Sequence, residues 1–118
     1  MTPTPDPRLA DIIRRHQQAF RRRERQKRYE QQHQRKESLA AARGNAKAQY
    51  NLGIMYEMGY GVPQDYVQAY KWFSLAAATY TEKQERDEAA KTRDSVAARM
   101  TPAQIAEAQK RAREWTKQ

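Results

Sequence analysis

The chain has 118 residues, enough for one domain and an appendage. Hydrophobic residues make up 38% and charged residues 31%, so any core is modest for the size. The lack of cysteine excludes a disulfide framework and a thiolate metal site, and no apolar run approaches the ~20 residues of a membrane span.

The net charge of +9 is unevenly placed. Residues 1–43 hold 12 Lys/Arg against 5 Asp/Glu, and residues 44–118 hold 11 against 9. The charge therefore belongs to an N-terminal arm. No secretory apolar region follows Met1, so a cytoplasmic location is expected, free or peripheral to a membrane complex.

Residues 1–7 contain three prolines and are expected to be disordered. Residues 8–43 predict a long basic helix. Leu9, Ile12, Ile13, His16 and Phe20 fall within an arc of ~100°, the width of a core-facing stripe. Residues 21–37 then offer only Tyr29 as an apolar candidate, on the other side of the wheel. They predict a helix that buries no face against its own protein. Ser38 to Arg43 look again like packed helix, the last turns docking on the hairpin, and Gly44 closes the element.

Residues 44–78 predict a helical hairpin. Leu52, Met55 and Tyr56 share one face of the first helix. A glycine inside a helix costs roughly 1 kcal/mol against alanine, so Gly53 implies a close approach, with Ala69 as the expected opposite number. Gly59 stops the helix, and Gly61, Val62 and Pro63 turn the chain. Asp65 reads as the N-cap of the second helix, with Gln68 completing a capping box. Ala69, Trp72, Phe73, Ala76 and Ala77 continue inward.

Residues 79–84 predict a loop. Glu82, Glu85, Asp87 and Glu88 open a third helix, where acids favour the positive end of the helix dipole. They surround one helical turn instead of converging on a cation. Thr101, Pro102 and Gln104 predict the sharp start of a fourth helix, with Met100 and Ile105 as a hydrophobic staple. Ile105, Ala108, Ala112 and Trp115 point inward.

The order Ala48-Gln49, Leu52-Gly53, Met55-Tyr56, Gly59, Gly61-Val62, Asp65, Ala69, Trp72 and Ala76-Ala77 resembles the Sel-one-like repeat, a relative of the tetratricopeptide repeats. The resemblance implies an all-α protein with an α/α solenoid unit used for protein–protein contact, and not an enzyme. The passage from Ala97 to Trp115 resembles an ending common among bacterial members. Residues 79–118 then read as a degenerate second repeat that caps the solenoid.

No catalytic constellation is legible. Ser38, Ser74 and Ser95 lack a base at a diagnostic spacing, and His16 and His33 lack an acidic ligand set. No metal or cofactor is expected. Two surfaces remain as candidates. Lys47, Asn51, Ile54 and Met58 form a stripe that hairpin packing does not require, suited either to a partner or to burial by the N-terminal helix. Arg14, Arg15, Arg21, Arg22, Arg23, Arg25, Lys27, Arg28, Arg35 and Lys36 form the basic surface of the arm. The expected role is an adaptor or accessory subunit that docks on a larger protein assembly. The alternative is association with nucleic acid or an anionic membrane surface through the arm.

Overall fold

The computed structural model describes residues 6–118. Its regular elements are five helices, α1 (Pro7–Ala42), α2 (Ala46–Met58), α3 (Tyr66–Thr79), α4 (Lys83–Ala97) and α5 (Pro102–Glu114). This is an all-α helical repeat fold. Of the segment expected to be disordered, residues 1–5 lie outside the described residues. Asp6 caps α1 by accepting the Arg8 N–H at 2.9 Å, and Pro7 is already helical.

Local chemistry sets the boundaries. Asn45 caps α2 by accepting the Ala48 N–H at 2.9 Å. Gly59 ends α2 at φ +71°, and the Tyr60 N–H returns to the Met55 carbonyl. The Asp65 N–H donates to the Tyr56 carbonyl at 2.9 Å, which locks the turn. Asp65 caps α3 by accepting the Gln68 N–H at 3.1 Å. The expected box there does not close: Gln68 Oε1 accepts a hydrogen bond from Lys71 Nζ at 3.4 Å instead. At α5 the box is complete: Thr101 Oγ1 accepts the Gln104 N–H and Gln104 Oε1 accepts the Thr101 N–H. Thr101→Ala should lower stability by about 1 kcal/mol. A urea midpoint unchanged by the substitution would contradict this role for the box.

The core consists of two adjoining clusters. Ala41, Ala48, Leu52, Met55, Trp72 and Leu75 form the first, with Val62, Ala112 and Trp115 against it. Trp72 and Trp115 meet edge to face at 6.0 Å. Ala69, Tyr70, Phe73, Val96 and Ala108 form the second, with Met100 and Ile105 at its rim. Helices α4 and α5 both lean on α3 and touch each other little. Bonds from Tyr50 to Thr92 and from Gln109 to Tyr70 tie the layers across.

Gly53 does permit a close approach, and the atoms that come nearest to it belong to Phe73, not to Ala69. A Cβ at Gly53 would stand 2.6 Å from the Phe73 ring. Wheel spacing identified the need for a small residue, while the bulk that fills the space comes from one helical turn further along α3.

The arm departs furthest from expectation. Docking extends beyond the expected last turns, Ser38 to Arg43, back to Glu30, through small and polar side chains that a hydrophobicity pattern overlooks. Ala41 is fully buried, and its carbonyl accepts from the buried Gln49 side chain at 3.3 Å. Gly61, at φ +73°, presses its backbone against Glu30, where a Cβ would stand 2.5 Å from the carbonyl oxygen. The apolar stripe of residues 9–20 has no cover: Leu9, Ile12, Ile13 and Phe20 are 51, 48, 46 and 59% exposed. The molecule is therefore elongated, 72 × 29 × 25 Å with a radius of gyration of 20.4 Å. A compact chain of this length would have about 13–14 Å. The free half of α1 is helical because it extends a docked helix, so it adds turns without a new nucleation cost.

Candidate interaction surface

Where α1 crosses α2, seven residues enclose an open groove of about 310 Å³. Tyr29 and His33 come from α1, Asn51, Ile54, Met55 and Met58 from α2, and Tyr60 from the turn. The walls are aromatic and sulfur-bearing, and Met58 is 70% exposed. Thioethers and aromatic rings adapt their shape to an inserted apolar group.

Each wall has a local cause. The Gly59–Gly61 turn brings Tyr60 back onto α1, where its ring meets His33 edge to face at 6.1 Å. Tyr29 is one turn before His33, with ring centres 6.2 Å apart. Glu37, one turn after it, faces His33 Nε2 at 3.3 Å, while the buried Nδ1 has no hydrogen-bond partner. Burial pushes the Tyr60 phenol above its ordinary range, with Tyr29 and Glu30 adding to the shift.

Asn51, Ile54 and Met58 of the expected stripe meet in this groove. Ile54 also packs toward the second core cluster, so it is half-buried while Met58 stands open. Lys47 is exposed at the start of α2 and does not line the groove. Tyr29, His33 and Tyr60 were not among the expected contact residues. Their signal was the lone aromatic of a charged stretch with a histidine four residues on. Linking them to Tyr60 required knowing where the turn docks.

The basic candidates Arg14, Arg15, Arg21, Arg22, Arg23, Arg25, Lys27 and Arg28 are all exposed along α1. Arg14 pairs with Asp11 at 2.9 Å, an exposed contact of little energetic weight. Lys27 lines a second groove of about 280 Å³ with Glu30, Gln31 and the turn residues Gly59, Gly61, Val62 and Pro63. Among the described residues, no group of three or more His, Asp or Glu is placed to hold a metal ion, and no helix is long and apolar enough to cross a membrane. The groove holds no nucleophile beside a base. Its chemistry is that of shape and apolar contact.

The Sel1 repeat family matches residues 46–78, so the α2–α3 hairpin is a Sel1 repeat. Sel1 repeats generally mediate protein–protein interaction, and the family is typically non-catalytic. No curated protein and no solved structure matches the chain.

Two phenols, Tyr56 inside the repeat and Tyr80 just after it, give a pH dependence. Burial raises the pKa of Tyr56, with Asp65 adding to it, and burial raises that of Tyr80, with Glu85 the next cause. The folded protein keeps these protons above pH 10.0, where the unfolded chain loses them. Their contribution is complete below pH 10 and is lost as pH climbs through the raised values. Thermal midpoints should fall more steeply above pH 10 in the wild type than in Tyr56→Phe/Tyr80→Phe. Parallel curves would contradict this.

Proposed function

We propose that the chain is a non-catalytic adaptor or accessory subunit that docks on a larger protein assembly through its Sel1 hairpin and the helix laid across it. The observation that carries this reading is the groove at the α1–α2 crossing. It presents Met58 and Tyr29 to solvent, with the half-buried Tyr60 beside them and Ile54 and Met55 beneath. Exposed aromatic and methionine side chains around a concave site suit the anchor residue of a protein partner, and such anchors carry most of an interface's energy. The long α1 helix widens the platform beyond what a single hairpin offers.

A photo-crosslinking residue at position 58, introduced into the full chain in its own cells, tests this. The expected result is a crosslink to one protein of defined mass, absent when the same residue stands at the exposed Lys110 of α5. Crosslinks of equal yield from both positions, or none from position 58, would contradict docking through the groove.

A further inference from the structure

The charge of α1 is sorted by side. With 100° per residue, one half of the helix carries nine Lys/Arg and a single acid, Asp11. The other half carries Arg23 and Lys27 against Glu24, Glu30 and Glu37. The near-neutral half includes the face docked on the hairpin and, further along, the bare stripe of Leu9, Ile13, His16 and Phe20. The row of Arg14, Arg21, Arg28 and Arg35 turns away from the hairpin, while the other edge of the basic half reaches the α1–α2 groove at Tyr29 and His33.

Within that half the cations form two rows. Arg14, Arg21, Arg28 and Arg35 recur every seventh residue. Arg8, Arg15, Arg22 and Lys36 recur at multiples of seven, with Tyr29 interrupting. A seven-residue step is nearly two turns, so each row runs almost parallel to the axis at about 10.5 Å per step. The rows lie about 100° apart. Between them runs a ridge of Asp11, Gln18, Arg25 and Gln32, which carries no net charge. All eight row residues are exposed, and apart from the Asp11–Arg14 contact none forms an ion pair among the described residues.

We infer that this face of α1 binds the sugar-phosphate walls of the major groove of duplex DNA. A partner for two basic rows with a neutral ridge needs two anionic walls and a less charged floor. The major groove of B-form DNA is about 12 Å wide, and a helix with its side chains is about 10–12 Å across. Guanidinium groups at both shoulders reach phosphates on opposite strands, a geometry that favours arginine over lysine. A bilayer fits less well. A flat anionic surface would meet the neutral ridge first, and the one large aliphatic residue on this half, the exposed Leu39, stands past the last cation of the rows at the C-terminal end of α1. The bare apolar stripe cannot serve instead, because the hairpin stands on that side of α1. A-form RNA is disfavoured, since its major groove is too deep and narrow for side chains to read. This function goes beyond the protein-docking reading and meets the groove only at Tyr29, in the gap of the second row; the arginine substitutions below leave every groove residue in place, so either reading can fail without the other.

The test is fluorescence anisotropy of purified full-length protein with a 24-base-pair DNA duplex. About five neutralised phosphates give a slope near −4 to −5 for log K against log salt, roughly a 500-fold loss between 50 and 200 mM. The variant Arg14→Glu/Arg21→Glu/Arg28→Glu should bind at least 100-fold more weakly with an unchanged thermal midpoint, since these side chains make no core contact. Leu9→Ser/Phe20→Ser, on the other side, should bind as the wild type does. A slope flatter than −2, equal affinity for the single-stranded 24-mer, or tighter binding to vesicles of 70% phosphatidylcholine and 30% phosphatidylserine would each overturn the inference.

Discussion

Phe73→Ala should cost about 3–5 kcal/mol, enough to leave so small a domain largely unfolded or close to it. Phe73 is fully buried and is the largest side chain so enclosed. It sits in the second core cluster and meets the Tyr50 ring at 5.3 Å. Its ring also fills the space left by the missing side chain of Gly53. Gly53→Ala therefore carries two opposed effects. Helix propensity gains about 1 kcal/mol, while a methyl 2.6–3.0 Å from three ring atoms adds overpacking of about 1–3 kcal/mol. The net change in the wild type should be destabilising. In the Phe73→Ala background the same methyl meets a cavity, and the change should turn neutral or stabilising. Urea unfolding of the four proteins at low temperature measures this reversal. Additive effects of the two substitutions would show that Gly53 is small for some other reason.

Gly61→Ala is expected to be the most damaging change at the turn, at roughly 2–4 kcal/mol. A left-handed conformation costs a non-glycine residue about 1–2 kcal/mol. The remainder comes from a collision of Cβ with the Glu30 carbonyl at 2.5 Å and the Gln34 Cβ at 3.1 Å. Backbone cannot move aside as a flexible side chain can, so relief requires α1 to lift from the hairpin. Gly59 is the control. It has nearly the same φ, but its Cβ would meet nothing closer than 3.4 Å, so Gly59→Ala should cost only about 1–2 kcal/mol. Hydrogen exchange separates the two. Amides of residues 30–41 should lose protection in Gly61→Ala and keep it in Gly59→Ala. Equal loss in both would mean that Gly61 does not seat α1.

These two glycines also show how far the sequence could be read. Gly53, Gly59, Gly61 and Asp65 were recognisable because each solves a backbone problem that belongs to a residue type: close approach, left-handed turn or cap. The same holds for Thr101 and Gln104, whose box closes as expected. The repeat was legible because its motif is dense in such residues. Of the docked half of α1 only the last turns, Ser38 to Arg43, read as packed helix; residues 30–37 did not, because their contacts rest on the Gly61 backbone against Glu30 and on Gln34, neither of which registers as apolar periodicity. The stripe from Leu9 to Phe20 misled in the opposite direction. Its spacing marks an apolar face correctly, but spacing does not say whether the chain itself supplies a partner.

The candidate site divides along the same line. Asn51, Ile54 and Met58 could be taken from α2 alone, as the face that the hairpin leaves unused. Tyr29, His33 and Tyr60 join them only through the α1–α2 crossing, a tertiary contact that no local pattern encodes. Lys47 shares the stripe on a wheel but sits one turn before Asn51, the first residue of α2 to line the groove.

Protein docking at the groove is best tested by native mass spectrometry of tagged full-length protein drawn from its own cells at low salt and treated with nuclease. The wild type should emerge in a complex with protein subunits at fixed ratio, and Met58→Glu should emerge without them. A wild-type sample that contains only the 13.9 kDa chain, or a complex that survives Met58→Glu intact, would contradict the assignment of the groove as the docking site.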